Sequence, residues 1–185
     1  MSPDIPNRPD SLNIQSEFEL LFQQYEAGLF RYVMYLCNSL SQAEDLYQET
    51  WLRVVTRFRK RSKIRNFKSY LYTTATNLFR DELRKRRVRR FILGEIAELT
   101  IKESPLLLWN GDNPDRNIHI RDEIQQALGA LTERQRMMFC LSYIEDLSIA
   151  EISRITNCAK GTVKSTLYKA VQKMRKTLVK NRVES

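Results

Sequence analysis

Apolar side chains recur every three or four positions along most of this chain, and the recurrence predicts helices throughout. The first stripe comprises Phe18, Leu21, Phe22, Tyr25, Leu29, Val33, Leu36 and Cys37. Ser16 with Glu19 forms the S-x-x-E pattern of a capping box, which predicts a helix start near Ser16. Ser41 with Glu44 repeats the device, and the helix behind it turns Ala43, Leu46, Tyr47, Thr50, Trp51, Val54 and Phe58 inward. A basic loop follows from Arg59 to Arg65. A third helix after Asn66 places Tyr70, Leu71, Ala75, Leu78 and Leu83 on its inner side and ends in the basic run Arg84 to Arg90. Three such helices suffice to enclose one core.

Between Phe91 and Pro114 the periodicity fades, and Gly94, Ser104, Pro105, Gly111 and Pro114 interrupt any long helix. That stretch reads as a flexible linker, with Leu106, Leu107, Leu108 and Trp109 as an apolar patch that docking on a partner or on the chain's own domain would explain. A second block begins near Asp115 with Ile120, Ile124, Ala127, Leu128 and Leu131 on one helix face. Thr132 with Gln135 caps the next helix, which carries Met137, Cys140, Leu141 and Ile144. Ser148 with Glu151 opens a short helix bearing Ile152 and Ile155, a tight turn spans Thr156 to Cys158, and a last helix runs from about Lys160 to Lys180. Val163, Leu167, Ala170, Val171, Met174 and Leu178 form its inner stripe. Short helix, brief turn and longer helix trace a helix-turn-helix. The expected fold is therefore all-α: a flexible N-terminus (1–15), a helical domain (16–90), a linker (91–114) and a second helical domain (115–185).

Composition agrees and adds a partner. Hydrophobic residues make up 42% of the 185, which excludes wholesale disorder, and five glycines and five prolines favour helix over sheet. A net charge of +9 calls for a polyanion, either nucleic acid or an acidic membrane surface. The longest strongly apolar run, Leu106 to Trp109, is far too short to span a bilayer, and the N-terminus lacks a signal-peptide layout, so a cytoplasmic protein without membrane insertion is expected. Three widely spaced cysteines and a single histidine, His119, indicate neither a metal site nor a disulfide framework. Cys37 and Cys140 fall on inner stripes, where a reduced, buried side chain is expected. No cofactor is implied.

Three surfaces carry candidate function. The last helix presents Lys160, Thr162, Lys164, Ser165, Tyr168, Lys169, Lys173, Arg175 and Lys176 outward, with no acidic residue before Glu184. In a helix-turn-helix this helix enters the major groove, its early residues at base edges and its later ones near phosphate, whereas the plainer reading is a solvated basic helix. Asp45, Gln48 and Glu49 lie at i, i+3 and i+4 on the second helix, a face suited to a basic protein surface or to water alone. The third helix aligns Thr73, Asn77, Arg80 and Arg84. The loop before it offers Arg59, Lys60, Arg61, Lys63 and Arg65, and Phe58, Phe67, Tyr70, Tyr72 and Phe79 are interleaved. Basic grooves with aromatic platforms hold unstacked bases at about 1–3 kcal/mol per stacked base. Tyr70 and Phe79 are expected inside, leaving Phe67 and Tyr72 as candidate platforms, against the reading that all are core.

From Phe18 to Leu178 these segments resemble the extracytoplasmic-function sigma factors of bacterial RNA polymerase, which join a sigma domain 2 to a sigma domain 4 through a linker. Ala43-Glu44-Asp45-Leu46-Tyr47-Gln48-Glu49-Thr50-Trp51-Leu52 resembles the family's polymerase-docking helix, and the resemblance implies that Asp45, Gln48 and Glu49 meet the clamp coiled coil of the largest subunit. Phe67-Lys68-Ser69-Tyr70-Leu71-Tyr72-Thr73-Thr74-Ala75-Thr76-Asn77 is similar to the promoter-melting element that traps a flipped minus-ten base. Phe67 and Asn77 match its pattern, and with the basic and aromatic positions read above the candidate minus-ten contacts are Arg61, Lys63, Phe67, Tyr72, Thr73, Asn77, Arg80 and Arg84. Leu131-Thr132-Glu133-Arg134-Gln135-Arg136 and Gly161-Thr162-Val163-Lys164-Ser165 resemble the domain 4 signatures, whose final helix reads the minus-thirty-five element; on its outward face the candidates are Lys160, Thr162, Lys164, Ser165, Tyr168 and Lys169. The chain departs from the pattern at Tyr70 (usually Trp), Thr132 (frequently Pro), Ala159 (usually Ser or Pro) and Thr166 (commonly Arg). Loss of the Ala159 cap is worth about 1 kcal/mol.

The resemblance implies an alternative-type sigma factor that brings core RNA polymerase to promoters, melts DNA by base capture, catalyses nothing and is held by an anti-sigma factor. Two rivals are a self-sufficient helix-turn-helix regulator, which would bind duplex operators tightly alone, and a nucleic-acid enzyme. The latter lacks a catalytic set: His119 is alone, no carboxylate cluster flanks the basic groove, and no glycine loop cradles phosphate.

Overall fold

In a computed structural model, the described residues are 10–37, 39–60, 64–93 and 118–184, and all seven of their elements are helices. They are α1 (Asp10–Leu36), α2 (Leu40–Arg59), α3 (Phe67–Leu93), α4 (Ile118–Gly129), α5 (Glu133–Tyr143), α6 (Ile149–Thr156) and α7 (Lys160–Glu184). The apolar linker patch Leu106 to Trp109 lies outside the described residues.

Local chemistry sets most helix starts. Thr132 and Ser148 each form a reciprocal capping box, with Gln135 and Glu151 respectively, as expected from the sequence. The Asn66 side chain accepts the Ser69 amide at 2.8 Å and starts α3. Two expected caps are displaced. Helix α1 passes straight through Ser16, since neither Gly nor Pro separates Asp10 from it. At α2 the cap is Ser39 rather than Ser41, its hydroxyl accepting the Gln42 amide at 3.3 Å; Ser39 and Gln42 match the same pattern two residues earlier. Helix α3 continues three residues beyond Arg90, to Leu93.

Helices α1, α2 and α3 pack around Leu29, Val33, Leu46, Val54, Leu71, Ala75 and Phe79. Trp51 anchors an aromatic cluster against Phe18, Phe22 and Tyr47, with ring centroids 4.6–6.3 Å apart. Helices α4 to α7 enclose Leu128, Leu131, Met137, Leu141, Ile152, Ile155, Val163 and Ala170. Ile124, expected inward, is 38% exposed.

The two blocks are not independent beads: α5 packs on α1 and α6 on α3, and one continuous core runs through both. This explains residues that the first stripe missed. Tyr32 and Met34 lie off the periodic face of α1 yet are buried, because α1 is covered on more than one side. Tyr32 hydrogen-bonds the Thr76 hydroxyl at 2.9 Å and meets Tyr72 edge to face.

Candidate polymerase and promoter interfaces

The acidic face of α2 is open. Leu46, Thr50 and Trp51 point into the core, which fixes the helix rotation so that Asp45 and Gln48 are exposed and Glu49 is half-buried. Glu49 receives a 2.6 Å hydrogen bond from Arg53 one turn on. This face borders a groove of about 610 Å³ between α2 and the second half of α3, lined among others by Asp45, Glu49, Arg53, Glu82 and Arg86. The mixed signs matter: Arg86 pairs with Glu82 at 3.2 Å, while Asp45 lines the groove without an ion pair among the described residues. Sequence spacing found the α2 carboxylates but not the α3 wall, which only tertiary packing brings alongside.

The outer face of α7 is also open. Its inner stripe of Val163, Leu167, Ala170 and Met174 is buried, so Lys160, Lys164, Ser165, Tyr168 and Lys169 face solvent; Thr162 is half-buried. Tyr168 is 68% exposed. The turn before α7 is made by Asn157 in the left-handed conformation (φ 49°), which an asparagine tolerates better than most residues and which closes α6.

The face of α3 is different. Arg61 and Lys63 lie outside the described residues. Asn77 is exposed, Thr73 is half-buried with its hydroxyl on the Ser69 carbonyl, and Arg84 is exposed but bridged to Asp81 at 3.2 Å. Phe67, expected as an open platform, is half-buried among Tyr25, Trp51 and Phe58, at centroid distances of 5.6–6.4 Å. Tyr72 departs furthest from expectation: it is fully buried, its hydroxyl donating to the Glu145 carboxylate beyond α5. Arg80 donates to the Thr156 carbonyl at the C-terminus of α6 (2.9 Å), a favourable place for a cation. Tyr70, expected inside, is half-buried under the Arg57 guanidinium, 5.3 Å from its ring centre.

Glu145 was invisible to sequence reasoning, because its partners are more than seventy residues away and no periodicity marks a residue in the turn after α5. It is 6% exposed. Lys68 donates to its backbone carbonyl at 2.6 Å, and Arg31 approaches its second carboxylate oxygen at 4.0 Å. Burial raises the Glu145 carboxyl above the ordinary range, against the opposing pull of Tyr72, Arg31 and Lys68. Burial raises the Tyr72 phenol too, and the neighbouring carboxylate adds to the effect.

The cysteines behave as core residues. Burial pushes the thiols of Cys37 and Cys140 up to about 12, so neither is a reactive thiolate at neutral pH. Among the described residues no cluster of His, Cys, Asp and Glu is arranged to hold a metal, and no helix is long and apolar enough to cross a membrane.

Comparison with known proteins identifies the family. Residues 21–89 match the family model for sigma-70 region 2, and residues 121–174 that for sigma-70 region 4. The chain is 32% identical over 161 residues to the ECF RNA polymerase sigma factor SigL of Mycobacterium tuberculosis, covering 85% of this chain and 86% of that one. The chain belongs to the ECF sigma factors. SigW of Bacillus subtilis, 28% identical over 170 residues, is covered to 90% and covers 89% of this ECF sigma factor. Among solved structures, the sigma factor RpoE in complex with the anti-sigma factor NepR from Bartonella quintana has the same fold. Its TM-score is 0.70 at 23% identity, over 88% of this chain and 96% of that one. CnrH in complex with the cytosolic domain of CnrY gives a TM-score of 0.62 at 18% identity, over 89% and 88%. As an ECF sigma factor, the protein directs RNA polymerase to promoters, and its family consists of non-catalytic initiation factors.

Proposed function

We propose a division of labour among the three faces. The block of residues 16–90 docks on core polymerase through Asp45, Gln48 and Glu49 and holds the melted minus-ten strand along α3. The block of residues 115–185 reads the minus-thirty-five duplex with Lys160, Thr162, Lys164, Ser165, Tyr168 and Lys169. The observation that carries this reading is the separation of charge: a carboxylate-bearing face on α2 in a chain of net charge +9, with the exposed positions of α7 from Lys160 to Val179 free of acidic residues.

The energetics need no catalyst. Taking a base out of the stack costs a few kcal/mol, which capture against aromatics such as Phe67 and hydrogen bonding to Asn77 offset. No residue of this chain is assigned a catalytic role, and the site of action is the cytoplasm, where polymerase and promoters are. RpoE is seen with the anti-sigma factor NepR, and a protein of that class is the regulator expected here.

The test is retention on immobilised core RNA polymerase. Asp45→Arg with Glu49→Arg should abolish retention, while Lys164→Ala with Lys169→Ala should leave it unchanged. Equal retention of the first pair and the wild type removes the docking assignment.

A further inference from the structure

The face assigned to the melted strand is the face on which the C-terminal block sits. Glu145 reaches from the turn after α5 across to α3 and α1. It accepts from the Tyr72 hydroxyl, holds Lys68 on its carbonyl at 2.6 Å and lies 4.0 Å from Arg31. Arg80 is tied to the end of α6 at 2.9 Å, and Arg87 reaches Glu133 at 3.0 Å. Thus two of the eight minus-ten candidates, Tyr72 and Arg80, are occupied by the chain's own second block.

The fit at this junction is close and specific. Gly28 of α1 lies beneath the Tyr72–Glu145 contact, and a Cβ at that position would come within 3.0 Å of the Tyr72 hydroxyl and 3.1 Å of the Glu145 carboxylate. Glycine in mid-helix is unfavourable by itself, so its presence here goes with the close approach of the other block. Asp146, with φ at 50°, turns the chain immediately after Glu145 and aims that side chain inward. Charged and hydroxyl groups make these contacts, and water can replace each of them once the blocks part, so the cost of opening lies in the apolar core the blocks share.

We propose that Glu145 is a latch: it closes the C-terminal block over the strand-binding face of α3, and the free chain must open there before Tyr72 and Arg80 can meet DNA. The latch rests on the assignment of α3 to the melted strand only for its consequence, not for its geometry. In the closed form Asp45 and Gln48 of α2 and Lys164, Ser165 and Lys169 of α7 stay exposed, so the latch covers the α3 face and leaves these side chains open.

Small-angle scattering of the free chain, together with binding of fluorescein-labelled oligothymidylate, tests it. The closed wild type should approach the radius of gyration of a compact chain of this length, about 16 Å. Gly28→Gln puts an uncharged side chain into the junction at a position where Gln is the better helix former, and Glu145→Lys sets a cation against Arg31 and Lys68. Both should enlarge the radius while circular dichroism keeps its helical signal, and Gly28→Gln, which adds no charge, should bind the oligonucleotide several-fold tighter. Glu145→Gln keeps an acceptor for Tyr72 and should stay compact. Should Glu145→Lys fail to fold, Gly28→Gln decides. A wild type already expanded, or a folded Gly28→Gln with unchanged radius, overturns the latch. An enlarged radius with unchanged strand binding overturns the masking and puts the assignment of α3 at fault instead.

Discussion

Two cationic surfaces of this sigma factor are built from similar residues and stand in opposite states. On α7, Lys164, Ser165 and Lys169 project into solvent from a helix whose other side is buried. On α3, Tyr72 is sealed and Arg80 caps a helix of the opposite block. Duplex reading asks only for a helix end that fits a groove, and such a surface works as folded. Holding a displaced strand asks for aromatic and cationic groups that, when idle, bury readily against another part of the same chain. Under the proposed division of labour, a face's composition sets what it can bind and its packing sets when.

The comparison breaks most visibly on the open side. Lys164→Ala with Ser165→Ala should lower transcript yield from a minus-thirty-five-dependent promoter by ten- to a hundred-fold, corresponding to about 1–3 kcal/mol of lost base contact. Folding should be untouched, since both side chains are exposed. On the covered side, Asn77→Ala should reduce open-complex formation about ten-fold, roughly one good hydrogen bond to a captured base. A template already unpaired at minus ten should rescue that loss, whereas it should not rescue the α7 variant. Potassium permanganate footprinting of unpaired thymines separates the two.

A smaller effect concerns stability. Ser148→Ala removes the hydroxyl that accepts the Glu151 amide and should cost about 1 kcal/mol, read as a lower melting temperature. Glu151, held below the ordinary carboxylate range chiefly by that hydroxyl, should return toward it.

The smallest effect sharpens the picture of closure. Glu145 has a raised carboxyl pKa in the packed chain and an ordinary one, about 4.3, when solvated. Between those values the closed form keeps a proton that the open form has released. Raising pH through that window therefore weakens closure, lowering it strengthens closure, and outside the window this group contributes no slope. Tyr72 and Lys68 on α3, with Arg31 and Tyr32 on α1, are the titratable and charged groups that face the carboxylate. The scattering radius of the wild type should follow this slope, and that of Glu145→Gln should not.

Much of this molecule was legible in its sequence, for reasons that are local. Capping boxes at Thr132 and Ser148 and the three-and-four spacing of apolar residues are written within one or two helical turns, so helix existence and rotation could be read directly. The exposure of Asp45, Gln48 and Lys164 follows from the same spacing, because a buried stripe leaves the opposite side wet. What could not be read is whatever depends on distant partners. Tyr72 looked like an open platform because nothing near it in sequence covers it; Glu145, seventy-three positions away, does. Tyr32 and Met34 were missed for the same reason, since periodicity counts one buried side of a helix and α1 has more than one. The start of α2 was misplaced by two residues because Ser39 and Ser41 offer the same cap chemistry.

Mapping transcript 5′ ends from sheared genomic DNA with purified core RNA polymerase tests the central division of labour most directly. The wild-type chain should give discrete starts, Asp45→Arg with Glu49→Arg should give none above core enzyme alone, and Lys164→Ala with Ser165→Ala should weaken the same starts without moving polymerase retention. Starts of equal number and strength from the α2 variant would contradict the account.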